Sequence, residues 1–204
     1  SMPAFKNSEK NPKHNNNMKT IFLSIAIVLV SFQFQAQNIT VSDREIPTEM
    51  TIQNAEVTLN GAGVRTKFFM DMYVGGLYLT DKSKDANAVI KANQPMAIKI
   101  HIVSRLISSK KMIKAVEEGF ENSTDGNQDK YREKIDKFIS FFKDEISKDD
   151  VFDITYHPKS GTTVYKNKSN KGSIEGYDFK QALFGIWLSD DPADDDLKEA
   201  MLNL

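Results

Sequence analysis

Beyond residue 37 the apolar positions follow two rhythms, a period of two that marks strands and a period near 3.6 that marks helices. Residues 46–52 and 55–59 are strand-like, are separated by Gln53-Asn54, and read as a hairpin. Gly61-Ala62-Gly63-Val64-Arg65 reads as a turn with a cation at its exit. Across 67–74, Phe68, Met70, Met72 and Val74 share one face, while Lys67, Phe69, Asp71 and Tyr73 share the other. The all-apolar row is the expected core side. The mixed row, with Phe69 and Tyr73, lines a half-polar cleft or simply faces solvent or a covering helix. Gly75-Gly76 then interrupts the apolar strand ending Leu77-Tyr78-Leu79. Paired glycines in a strand mark a bulge, or a close approach by backbone or ligand.

Residues 85–92 have the length of a short helix, and 96–103 alternate as a strand after Pro95. Ser108-Ser109 caps a helix whose Met112, Ile113, Val116 and Phe120 recur at helical spacing and which Asp125-Gly126 ends. Residues 127–148 form the longest expected helix, with Tyr131, Ile135, Phe138, Ile139, Phe142 and Ile146 as its apolar stripe. Strands at 151–157 and 162–165 are joined by Pro158-Lys159-Ser160-Gly161; a turn at 167–172 and a short strand at 173–175 complete a meander. The helix at 179–188 is apolar on most sides and is expected to be buried. Asp191 is expected to cap the last helix, with Pro192 at its first position and Asp194 near its free N–H groups. Strands, then helices, then strands make the class α+β.

The N-terminal segment has a different pattern. Met18-Lys19 precedes an apolar run over 20–30 that is too short for a span of about 20 residues. Residues 18–36 read as a signal peptide cut near Ala36-Gln37, with a bulky Phe34 at −3; the alternative is an uncleaved anchor. The polar stretch 1–17 reads as an upstream start-site artefact or expression remnant, with Met18 the natural start. The expected organisation is therefore extension 1–17, signal peptide 18–36 and one domain over 37–204. Its expected location is periplasmic or secreted, with no stable membrane span once the signal is cut.

Composition narrows the chemistry. Hydrophobic residues make up 40% of the 204-residue chain and charged residues 27%, as in ordinary globular domains. With no cysteine, disulfide and thiol chemistry are excluded. The net charge is −1, and about −4 for 37–204, which disfavours nucleic acid as a partner. His14, His101 and His157 are scattered, and the aspartates at 190–196 lack the calcium-loop pattern, so no metal site is expected. Neither a Gly-x-Ser-x-Gly elbow nor a phosphate or dinucleotide loop is present, and no cofactor is implied. Arg65 remains as a candidate anion clamp, because its planar fork grips a carboxylate bidentately; the plainer reading is a turn arginine paired with an acid.

Two blocks carry a resemblance. Gly61-Ala62-Gly63-Val64-Arg65 with the following Gly76-Leu77-Tyr78-Leu79 is one; Phe179 to Leu188 with Asp191-Pro192-Ala193 and Leu197-Lys198 is the other. Over about 46–204 the chain resembles the chalcone isomerase family, in its bacterial chalcone-isomerase-like branch. The resemblance implies an antiparallel sheet packed on one face by a layer of helices, an open-faced sandwich, with the arginine of this segment directed into a ligand cleft. Plant enzymes of the family cyclise a chalcone to a flavanone. By this resemblance their strand threonine falls at Tyr73, their helical tyrosine and asparagine near Lys111 and Glu118, and their later threonine near Gly185. Arg65 matches the enzymes and the other positions do not. Fatty-acid-binding members carry an arginine and a tyrosine that Arg65 and Tyr73 resemble. The expectation is a non-catalytic domain holding a fatty acid or similar amphiphilic carboxylate at Arg65 and Tyr73, with Phe69, Met112, Val116, Phe120 or Phe138 around the tail. Two alternatives stand beside it: an isomerase acting on an enone, with Arg65 stabilising an enolate and Tyr73 as acid, and a structural or interaction protein whose cleft is filled.

Overall fold

The computed structural model describes residues 37–204; the extension 1–17 and signal peptide 18–36 expected above lie outside the described residues. A two-stranded ribbon, β1 (Asn38–Val41) and β2 (Arg44–Pro47), leads into a seven-stranded sheet. The sheet strands are β3 (Glu49–Ile52), β4 (Ala55–Lys67), β5 (Met70–Leu79), β6 (Met96–Ile102), β7 (Val151–His157), β8 (Gly161–Lys166) and β9 (Ser169–Ile174), paired antiparallel in chain order. The helices are α1 (Ala86–Lys91), α2 (Ser109–Ser123), α3 (Arg132–Ser140), α4 (Tyr177–Leu188) and α5 (Asp195–Leu202). No helix of the described residues is long and apolar enough to cross a membrane.

The sheet curls into a half-barrel, and Gln53 Nε2 of the β3–β4 turn donates to Ser160 Oγ of the β7–β8 turn at 2.5 Å. All five helices contribute to one core, on the face formed by Leu77, Ile98, Phe152, Ile154 and Val164. Phe120, Phe138 and Phe179 meet there, with centroids 5.5 to 6.1 Å apart. On the opposite face Val57, Val74 and Tyr78 are covered by Ile46 of the ribbon in a smaller cluster. The α+β class and the helix-backed antiparallel sheet are therefore as expected.

Several local expectations change. Residues 46–52 are two strands, β2 and β3. Gly61 to Arg65 is not a turn but the middle of β4, where the reversal is displaced to Phe68-Phe69, at φ 53° and 61°. Such φ values at both central residues of a two-residue loop suit the twist of the hairpin, and phenylalanine lacks the Asn-Gly signature that announces them. The bulges lie at Asn60 and Met72, not at Gly75-Gly76. The Met72 bulge breaks the period of two, so Tyr73 joins Met72 on the helix side and Val74 turns to the ribbon side; the expected rows hold as far as Met72 and exchange from Tyr73 on.

The expected 127–148 helix is a 3₁₀ turn, Gln128–Tyr131, followed by the nine residues of α3. Consecutive Phe141 and Phe142 are both buried, and the Phe142 carbonyl accepts a hydrogen bond from Ser109 Oγ instead of continuing a helix. Strand β9 is longer than the expected 173–175. The cap of α5 is Asp194, whose Oδ1 accepts from Leu197 N at 2.8 Å, and not Asp191.

Helix α5 lies unusually close to β4. A Cβ at Gly61 would overlap the Ala200 carbonyl oxygen, and one at Gly63 would fall 2.5 Å from Ala200 Cβ. The bulged Asn60, buried, fastens the contact by donating to the carbonyls of Ser83 and Met201, each at 2.8 Å. In α4, buried Lys180 donates to the carbonyls of Val89, Ile90 and Ala92, which closes the C-terminal end of α1. Burial pushes its pKa down to about 8.

A non-glycine residue in the left-handed region costs on the order of 1–3 kcal/mol. Replacing Phe68-Phe69 with Asn-Gly is therefore expected to raise the melting temperature by about 4–8 °C, taking a gain of ~2 kcal/mol in a domain of this size. Thermal denaturation followed by circular dichroism checks this.

Candidate functional site

Arg65 and Tyr73 are eight residues apart in the chain but face each other across the β4–β5 register. Directly opposed residues have Cβ atoms roughly 4.5–5.5 Å apart. The half-buried guanidinium accordingly lies beside the ring, with Cζ 5.8 Å from its centroid. Arg65 Nε donates to the Ala193 carbonyl, in the α4–α5 connection, at 3.3 Å. The two terminal nitrogens of the fork make no hydrogen bond or ion pair among the described residues.

Tyr73 is buried, and its Oη accepts from Trp187 Nε1 on α4 at 2.9 Å. A hydroxyl that accepts keeps its own proton to donate. Burial pushes the phenol above its ordinary pKa; Arg65 and the Trp187 hydrogen bond oppose the shift, and Asp194 adds to it. Tyr73 is thus held as a protonated donor. Asp194 also joins the elements around the site: besides capping α5, its Oδ2 accepts from Thr66 N at 3.3 Å.

These groups border a cleft of about 430 Å³ between the end of the β4–β5 hairpin and α2, within the usual size range of small-molecule sites. Its walls are mainly apolar, with Met72, Ile107, Met112, Val116 and Ile186 among them. The charged side chains on it are Arg65, Lys67, Lys111, Lys114 and Glu118, and Glu118 lies 3.4 Å from Lys114. The balance favours an anion with an apolar body. A second hollow, about 410 Å³ on the opposite face of the sheet, is more polar, and there Lys99 is paired with Asp153.

Of the residues expected from the sequence, Arg65, Tyr73, Met112 and Val116 are brought together on the cleft. Phe69 is not among them: the turn leaves it in solvent, and its neighbour Phe68 lines the cleft instead. Phe120 and Phe138 lie deeper in the core, where Phe120 stacks on Phe179 and Phe138 meets both rings edge-on. Lys111 and Glu118 line the cleft, whereas Gly185 packs against Ser123. Sequence reasoning missed Trp187, Met72 and Ile107. A lone tryptophan on an apolar helix was the available signal, because a buried indole N–H needs an acceptor.

Comparison with known proteins bears on this arrangement. The sequence model of a family described as chalcone isomerase-like matches residues 38–203. A crystal structure of a fatty-acid binding protein from Arabidopsis thaliana superposes with a TM-score of 0.64 at 17% identity, covering 82% of this chain and 96% of that one. No curated protein matches.

Tyr73→Phe removes one oxygen and leaves the Trp187 N–H buried without an acceptor. The expected cost is about 1–3 kcal/mol of stability in urea denaturation, together with a changed emission spectrum from Trp187, the single tryptophan. Unchanged stability and emission would show that the hydrogen bond carries no weight.

Proposed function

The chain belongs to the chalcone isomerase-like family, and from that premise we propose that it binds a fatty acid or similar amphiphilic carboxylate without turning it over. The observation that carries the proposal is the pairing of two uncommitted donors at one end of an apolar cleft: the terminal nitrogens of Arg65 and the phenolic proton of Tyr73. A carboxylate takes a bidentate contact from the guanidinium and a third hydrogen bond from the phenol. The tail then lies along Met72, Ile107, Met112, Val116 and Ile186. The fold shared with a protein that is itself described as fatty-acid binding supports the reading. The proposal includes export, with the segment 18–36 as a signal peptide and the domain working in the periplasm or outside the cell. Edman sequencing of the exported protein would then start near Gln37.

The same donor pair favours a second reading, stabilisation of an enolate oxygen during isomerisation of an enone. The raised pKa of Tyr73 opposes it as the proton source. Turnover of a chalcone that disappears in Arg65→Ala would establish the enzyme reading. The filled-cleft alternative needs apolar side chains packed over Arg65, where the 430 Å³ hollow lies.

Titration with a fluorescent long-chain fatty acid tests the binding proposal. Arg65→Ala is expected to weaken affinity at least tenfold, since hydrogen bonds to a charged group contribute about 1.5–3 kcal/mol each. Arg65→Lys should recover only part, because an ammonium lacks the fork. Equal binding by wild type and Arg65→Ala would overturn the clamp.

The pH profile gives an independent check. Tyr73 must keep its proton to donate, and burial raises its pKa, so affinity is expected to stay level from about pH 6 to 9. It should fall as the ligand's own carboxylate protonates, near or below about pH 5. A loss of affinity between pH 7 and 9 would contradict a phenol that burial keeps protonated.

A further inference from the structure

Among the described residues Phe68, Phe69, Met70 and Leu106 are exposed, and they lie together: the first three are consecutive, and Leu106 shares the cleft wall with Phe68 and Met70. Phe68 is 79% exposed and Phe69 fully so. They form the tip of the β4–β5 hairpin, in a backbone conformation that phenylalanine adopts only at a cost. The β8–β9 hairpin makes the same reversal with Asn167 at its first position, a residue suited to it. Neither burial nor turn preference accounts for two phenylalanines at this tip.

Cations stand beside the tip and on the cleft that it borders. Lys67 Nζ lies 5.9 Å from the Phe68 ring centroid, and Lys111 and Lys114 stand on the same cleft. Glu118 is the one acid among the residues lining the cleft and pairs with Lys114 at 3.4 Å, so Lys67 and Lys111 carry the uncompensated positive charge beside the tip. Exposed phenylalanines with lysines beside them suit the surface of an anionic bilayer, where apolar rings bury at the boundary of headgroups and acyl chains and ammonium groups meet the lipid charge. A protein partner would need roughly 800 Å² of matched surface, more than a two-residue tip presents.

We propose that the Phe68-Phe69 tip docks on the surface of an anionic lipid bilayer. Docking sets the mouth of the cleft against the lipid, so that an amphiphile passes between bilayer and cleft without crossing open water. This extension rests in part on the amphiphile reading, through the continuity of tip and cleft. Docking itself does not need Arg65, so the two ideas fail separately.

The test uses the full chain carrying Phe69→Trp, with the wild-type Trp187 signal subtracted, and vesicles of phosphatidylglycerol and phosphatidylcholine. This probe reports on the tip itself, whatever other segment touches lipid. Emission is expected to shift to shorter wavelength and to be quenched by lipid brominated on its acyl chains. With Lys67→Glu, Lys111→Glu and Lys114→Glu combined, the lipid concentration for half-maximal quenching should rise at least tenfold. Arg65→Ala should leave quenching unchanged while weakening fatty-acid binding at least tenfold.

Emission unmoved by vesicles overturns the proposal. Equal insertion into pure phosphatidylcholine overturns its anionic part. A shift without vesicles that grows with protein concentration would instead assign the tip to a second copy of the chain.

Discussion

The two-residue reversal at Phe68-Phe69 sets the register on which the rest of the candidate site depends. With Lys67 opposite Met70 and one extra residue accommodated at Met72, Arg65 is placed opposite Tyr73. A reversal one residue longer or shorter would slip that pairing and turn one of the two side chains to the other face of the sheet. The Met72 bulge adds a local twist, and Met72 and Tyr73 come to line the same cleft. One stretch of backbone thus fixes the facing donors, the apolar wall beside them and the exposed tip beyond.

The pairing is held from behind by the C-terminal part of the chain. Trp187 of α4 orients the Tyr73 hydroxyl, and Ala193 of the α4–α5 connection takes up Arg65 Nε. Asp194 ties the start of α5 to Thr66 of β4, while the bulged Asn60 holds its end at Met201. The absence of side chains at Gly61 and Gly63 lets α5 approach closely enough to make these contacts. Arg65 and Tyr73 are therefore held in place by the fold itself, and a ligand taken up as proposed would meet them with a lower ordering cost. Gly61 and Gly63, which first suggest a turn, and Gly75 serve the packing of α5 instead, while Gly76 meets Leu59, Tyr78 and Ile46 on the ribbon side.

The hairpin tip reflects a conflict between local and global demands. Its turn chemistry is poor, its aromatic side chains are in water, and the register it closes is nevertheless essential to the site. Departures from local preference of this kind concentrate where a protein's purpose competes with its stability. The buried Lys180 is a different case: its charge is satisfied by three carbonyls, and the conflict is resolved within the fold.

Sequence alone determined the α+β class, the order of most strands and helices, the buried helix at 179–188, the cap at Ser108 and the family. These follow from periodicity and from short motifs, which are local properties of the chain. Arg65 and Tyr73 were also legible, through the resemblance. The tertiary structure alone decided that Gly61 to Arg65 is strand, that Phe69 lies in solvent while Phe68 borders the cleft, that Phe120 belongs to the core, and that Trp187 completes the Tyr73 hydrogen bond. Each of those outcomes depends on a bulge, a positive φ or a contact more than a hundred residues away in sequence. A period of two carries no mark of the residue at which it will be broken, and an indole N–H does not reveal which distant oxygen will accept it.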